Sequence, residues 1–271
     1  MSDTPRPHPA EAPQLPMPKL ASLRVFISLI QREMSTSYGS SPGGYIWAII
    51  SPLGTTAVMA MAFSMIVRTP PLGTSFLVFY AAGVMPFNMF NQVTARITNS
   101  INYSKPLLAY SRVTWIDSVL ARFTLNLLTQ LVIFALVMTI ILSFVDAHTM
   151  IRPFPLFAGI AIMATLGLGI GLINCLMVGY FPVWGELWGI LSRPLFLVSG
   201  IFFLVEDLPP KVRHIIEWFP MAQGVAMVRS GFYPTYDPQF VSLAYCFGLS
   251  LGMIMLGLLF MRRGYLAGLE R

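Results

Sequence analysis

RFTLNLLTQLVIFALVMTIILSFVD, running from Arg122 to Asp146, carries no charged residue between its ends. At ~1.5 Å of rise per residue, its interior is long enough to cross the roughly 30 Å of a bilayer's hydrocarbon. The stretch therefore reads as a transmembrane helix. Four other gaps are equally free of Asp, Glu, Lys and Arg: Glu33 to Arg68, Arg68 to Arg96, Arg152 to Glu186, and Asp237 to Arg262. Each exceeds the roughly 20 residues a span requires. A sixth span is less clean, because the apolar run from Pro194 to Val205 must borrow Leu187 to Ser192 and so enclose Arg193. A seventh apolar piece, Val212 to Phe232, is interrupted by prolines and charges.

The expected fold class is all-α integral membrane, with six spans at about 45–67, 75–94, 117–144, 156–180, 187–205 and 240–261. With 56% hydrophobic and 10% charged residues, the composition leaves no room for a separate soluble domain. Residues 1–18 carry six prolines and no apolar core, so they read as a disordered cytosolic tail ahead of a single unit, 19–271. Cys175 and Cys246 both fall inside spans, where small buried thiols are commoner than bridges.

A net charge of +6 is not a nucleic-acid signature here, because excess Lys and Arg in a multispanning chain records topology. With both termini cytoplasmic, the inner segments hold Arg6, Lys19, Arg24, Arg32, Arg96, Lys105, Arg112, Arg122, Arg193, Arg262, Arg263 and Arg271. The outer segments hold only Arg68, Arg152, Lys211, Arg213 and Arg229, so the inward bias selects this orientation.

Residues 20–34 space Leu20, Leu23, Ile27, Ile30 and Met34 by threes and fours, opposite Arg24, Ser28, Gln31 and Arg32. Such a stripe fits a helix lying in the membrane interface or one packed on a partner protein. The inner loop Arg96 to Leu120 is short, basic and helix-compatible; it reads either as a docking surface or as an ordinary positive inner loop. On the outer side, Pro209-Pro210 starts a helix that Pro220 stops, and a second apolar piece follows. Each piece is about half a span long. The pair fits short helices that dip into the outer leaflet and return, or an amphipathic surface hairpin. Gly167 to Gly171 and Gly248 to Gly252 form two small-xxx-small patterns, which serve packing within one subunit or between two.

Nothing in the chain points to catalysis or to a cofactor. There is no P-loop of the G-x-x-x-x-G-K-[ST] type and no metal-spaced His or Cys cluster, and no acid or base sits in mid-span as an ion-coupled carrier requires. Arg122, Glu186 and Arg193 lie near the inner face, where their side chains can snorkel. What the spans do hold is neutral polarity: Asn88, Asn91 and Gln92 cluster in the second, and Asn126 and Gln130 lie four apart in the third. Aromatic residues, Tyr38, Tyr45, Trp115, Trp188 and Tyr233 among them, crowd the span ends. An interfacial belt and amide glue between helices account for these features. Equally, rings that stack on sugar faces and amides that exchange hydrogen bonds with hydroxyls are what a sugar chain needs for passage.

Arg32-Glu33-Met34, Tyr38-Gly39, Gly43-Gly44-Tyr45-Ile46-Trp47 and Ser51-Pro52-Leu53 resemble the opening of capsular-polysaccharide export permeases, the membrane subunits of two-component ABC exporters. Later blocks agree in order and spacing: Ala81 to Phe90, Ile116-Asp117 with Ala121-Arg122, Ser199 to Phe203 with Leu208-Pro209-Pro210, and Arg229 to Tyr233. The chain departs from the family where Asn-Pro and a following His are usual; it has Phe219-Pro220 and Gln223.

The resemblance implies a homodimer with two copies of a separate ATPase docked below. The pair would move a lipid-linked polysaccharide outward across a bacterial inner membrane to periplasmic envelope export proteins. Other lipid-linked glycans, O-antigen or teichoic acid, are the alternative cargo, and a membrane-embedded glycolipid-processing enzyme is the alternative class. On this reading Asn102, Lys105, Tyr110 and Arg112, with Arg32 and Glu186, meet the ATPase. Tyr38, Tyr45, Asn88, Asn91, Gln92, Arg122, Trp188 and Arg193 line a glycan canal among membrane lipids. Pro209, Pro210, Trp218, Arg229 and Tyr233 shape the outer loop at its exit.

Overall fold

Eight α-helices and one 3₁₀ turn make up the described part of the computed structural model, which covers residues 27–31, 34, 44–66, 70–100, 115–145 and 150–269. They are α1 Gly44–Ile66, α2 Phe76–Thr98, α3 Trp115–Phe144, α4 Pro153–Tyr180, α5 Trp184–Val198, the 3₁₀ turn Val205–Asp207, α6 Pro210–Ile216, α7 Pro220–Phe232 and α8 Leu243–Leu269. No strand occurs among the described residues. Residues 27–31 and 34 are helical, as the stripe over 20–34 predicts; the rest of that stripe and the tail lie outside the described residues.

By length and composition, α3, α4 and the Leu243–Arg262 part of α8 are each sufficient to cross a membrane. Helices α1 and α2, at 23 residues each, extend about 35 Å. Three helices start on proline, Pro153, Pro210 and Pro220, where the missing N–H removes a group that would have no helical partner.

Helix α4 is the hub, packed against α2, α7 and α8. Its glycines divide the work. A Cβ at Gly167 or Gly171 would press on Val93 or Ile97 of α2, while one at Gly169 would press on Met253 and the Ser250 carbonyl of α8. The first glycine pattern therefore serves packing inside one chain. The second faces away from it, since a Cβ placed at Gly248 or Gly252 would meet nothing within 4 Å. The core between α2 and α4 is filled by Phe79, Phe87, Phe90, Ile162, Met163 and Leu166, all buried.

One element departs from the sequence reading. The span expected over 187–205 is helical only from Trp184 to Val198, 15 residues or about 22 Å, short of a bilayer's hydrocarbon. It stops because Ser199 and Gly200 turn the chain, with Gly200 at φ 73°. Glycine alone takes that conformation without strain. The irregular backbone that follows is tolerated because protein satisfies it, as set out below. Helix α5 also buries no residue against its own chain.

Candidate functional site

One end of the helix bundle is organised by Arg229, which α7 presents to the turn after α5. Its side chain is 2% exposed. Nη1 donates to the carbonyls of Gly200 (2.6 Å) and Phe203 (3.1 Å), and Nη2 donates to that of Ile201 (2.5 Å). The guanidinium carbon lies 3.8 Å from the ring centroid of Phe79 on α2. Gly83, one turn along α2, leaves the space: a Cβ there would come within 2.8 Å of Nη2. A planar, permanently charged fork suits three divergent carbonyls and a ring face at once, which no other side chain can do. One residue thus ties α2, α7 and the end of α5 together.

A second fastening joins the segment between α5 and α8 to α8 itself. Gln223, 3% exposed, donates from Nε2 to the Glu217 carbonyl (2.7 Å), and its Oε1 accepts from the Ser242 N–H (2.9 Å) and the Cys246 thiol (3.2 Å). Tyr236 donates to Glu206, 3.1 Å from both carboxylate oxygens. Burial first, and then the Glu206 carboxylate, push that phenol up, so it remains a donor at neutral pH. Tyr233 is buried with its ring against Gly73, whose φ of 69° turns the chain into α2. Trp218, exposed, meets Tyr245 edge-on at 5.6 Å while Tyr245 donates to the Trp218 carbonyl. Pro209 and Pro210 open α6, as the sequence predicts.

At the opposite end, Arg122 is buried and donates from Nη1 to the carbonyls of Asn99 (3.2 Å) and Arg96 (3.5 Å). It caps the last turn of α2, where carbonyls lack helical partners and the helix dipole favours a cation. The side chain is therefore packed against the end of α2 in this chain. Trp184 at the start of α5 donates to the buried Asn174 of α4 (2.9 Å). Glu186 and Arg193 are exposed on α5, and Trp188 is half-buried. Arg32, Tyr38, Asn102, Lys105, Tyr110 and Arg112 lie outside the described residues, as does the side chain of Tyr45, whose backbone belongs to α1.

The amides of α2 come together as their spacing predicts. From Val78 to Phe87 every residue of α2 is buried; beyond it, Asn88, Asn91, Gln92, Ala95 and Asn99 are half-buried or exposed. At ~100° per residue these positions fall within roughly a 100° arc, one face of the helix. The uncovered side of this half of α2 is thus polar, with the half-buried Arg96 next to the amides. Phe196 of α5 meets the buried Phe87 edge-on at 5.3 Å. Of these features, only the amide cluster was marked by local spacing. Gln223, Asn174 and Glu206 act on partners far along the chain, and no periodicity announces them.

Long apolar helices packed around a hub, with a polar side of α2 left open, fit an integral membrane protein. The chain belongs to the ABC-2 type transporter family, whose model matches residues 24–233. It is 29% identical over 252 residues to the capsule polysaccharide export inner-membrane protein BexB of Haemophilus influenzae, covering 91% of this chain and 93% of that protein. It is 27% identical over 237 residues to the corresponding protein CtrC of Neisseria meningitidis serogroup B, covering 86% and 89%. The polysialic acid transport protein KpsM of Escherichia coli is 28% identical over 231 residues, covering 85% and 90%. Membership makes the chain a transporter's membrane component and not a catalyst.

Proposed function

We propose that this chain is the permease subunit of an ATP-driven exporter that moves lipid-linked capsular polysaccharide from cytoplasm to periplasm across a bacterial inner membrane. It has six spans with both termini cytoplasmic, and works as a homodimer above two copies of a separate ATPase. The observation that supports this reading is the amide face of α2, open in a single chain, together with α5, none of whose residues is fully buried. A second subunit set against α5 would enclose the amide face as a wettable seam. Hydroxyl-rich polymer exchanges hydrogen bonds with the amides there. The names of the relatives supply the cargo class.

Alanine at Asn88 and Asn91 is the direct test. Export should fall roughly fivefold per amide, the effect of one net hydrogen bond, while membrane abundance stays at the wild-type level. Alanine at Phe90, which is fully buried, should do the reverse and deplete the protein from the membrane. If both amide variants export normally, the seam is not the path. For the coupling loop, Lys105→Glu and Arg112→Glu should break co-purification with the ATPase and stop export at unchanged abundance; intact co-purification would remove that assignment.

A further inference from the structure

Between the outer ends of α4 and α8 lies an apolar cleft of about 700 Å³. Its walls are Phe154, Phe157 and Ala158 of α4 and Leu243, Ala244 and Phe247 of α8, with Pro153 at the rim. These residues occupy the first turns of both helices, so the walls run about 6 Å along the helix axes. Phe154 and Phe157 are 69% and 63% exposed, so the cleft opens sideways. Arg152, the residue that caps the start of α4, directly precedes Pro153 in the chain. Its backbone N–H is anchored to the Gly231 carbonyl (2.8 Å), whereas its exposed guanidinium has no ion-pair or hydrogen-bond partner among the described residues. The one carboxylate just ahead of α8, Asp237, already accepts from the Gln239 side chain (2.7 Å).

We infer that this cleft binds a phospholipid of the outer leaflet, one acyl chain lying between α4 and α8 and an anionic headgroup phosphate paired with Arg152. The arrangement matches the layering of a lipid. A cation sits at the helix starts, at headgroup level, and a dry slot begins one residue further in, where the hydrocarbon begins. Water gains nothing in a slot without polar partners, while an acyl chain there buries apolar surface and keeps its headgroup in the interface. A bound lipid would also cover the seam beside α7, since Arg152 is held by Gly231 at the end of that helix.

The inference rests on the topology proposed above, which places the start of α4 at the outer face. The test is native mass spectrometry of the exporter with its ATPase, released from nanodiscs containing phosphatidylglycerol and phosphatidylcholine. Wild type should retain phosphatidylglycerol in preference to phosphatidylcholine. Arg152→Gln should lower that retention about tenfold, the range of one charge-assisted hydrogen bond, and Ala158→Trp, which fills the slot, should abolish it. Undiminished phosphatidylglycerol retention in either variant overturns the inference. So does retention seen only in protein from capsule-producing cells, because the occupant is then the cargo's own lipid anchor. A separate arm labels Arg152→Cys in intact spheroplasts with a membrane-impermeant maleimide; both native cysteines are buried. Labelling confined to inverted vesicles refutes the proposed topology and with it the outer-leaflet assignment, whichever lipid is retained.

Discussion

Arg229→Met should abolish export and shorten the thermal half-life of the purified protein more than any other single substitution in the region joining α5, α7 and α8. The methionine would retain some contact with Phe79 but leave the carbonyls of Gly200, Ile201 and Phe203 without donors in a buried turn. Leaving a buried carbonyl without its donor costs about 1 to 3 kcal/mol. Half-life is the appropriate readout, because unfolding of a membrane protein is commonly irreversible. Arg229→Lys should fall between the two. Its ammonium can reach one or two of the carbonyls, but it has no planar face to lay on Phe79 and no fork to span the turn. A lysine variant of normal abundance with impaired export would show that the clamp sets the end of α5 for transport as well as for folding. A methionine variant with wild-type half-life and export would show that the turn after α5 holds itself.

That clamp also shows where the sequence stops being legible. The spans could be read because the signal is local: a charge-free run of sufficient length has one interpretation in lipid, and α3, α4 and α8 follow from it. The amide face of α2 was equally readable, since residues three and four apart share a helix side wherever the helix lies. The end of α5 was not. Leu197 to Val205 is apolar enough to continue a helix, and what ends it is a glycine turn whose carbonyls are claimed by an arginine 26 to 29 positions later. Arg122 misleads in the same way. From its place in the chain it is a cation near the inner face, and only the packing of α3 on α2 brings the carbonyls of Arg96 and Asn99 within its reach.

Gln223 is the converse case. In the sequence it marks a departure from the family pattern; in the fold it makes three contacts that pin the start of α7 to the start of α8. An amide supplies donor and acceptor together, which the Glu217 carbonyl and the Ser242 N–H both require. Its residue type was visible, but its partners were not.

Gly159→Ala is expected to be nearly as damaging as loss of the clamp, and for a reason that separates the glycines of this chain into two kinds. A Cβ at Gly159 would stand 2.6 Å from Val228 Cγ2, 2.7 Å from the Val228 nitrogen and 2.8 Å from the Gly224 carbonyl oxygen. Two of those three atoms are backbone, so no rotamer change relieves the contact and α7 must move bodily off α4. Gly231→Ala meets Leu156 in the same way, at 2.8 Å from its Cβ and 2.9 Å from its nitrogen. Overpacking of this kind costs about 1 to 3 kcal/mol locally. Here it acts further, because the helix being displaced is the one that carries Arg229. Both variants should lose export and heat stability together. Gly248→Ala and Gly252→Ala add a methyl to open space on α8 and gain helix propensity, about 0.8 to 1 kcal/mol in a helix interior, so their half-lives should equal or exceed that of wild type. Should Gly159→Ala prove as harmless as these, the close approach of α4 and α7 does not hold this end of the bundle together. Damage at Gly248 or Gly252, by contrast, would mean that this face of α8 is covered by another subunit.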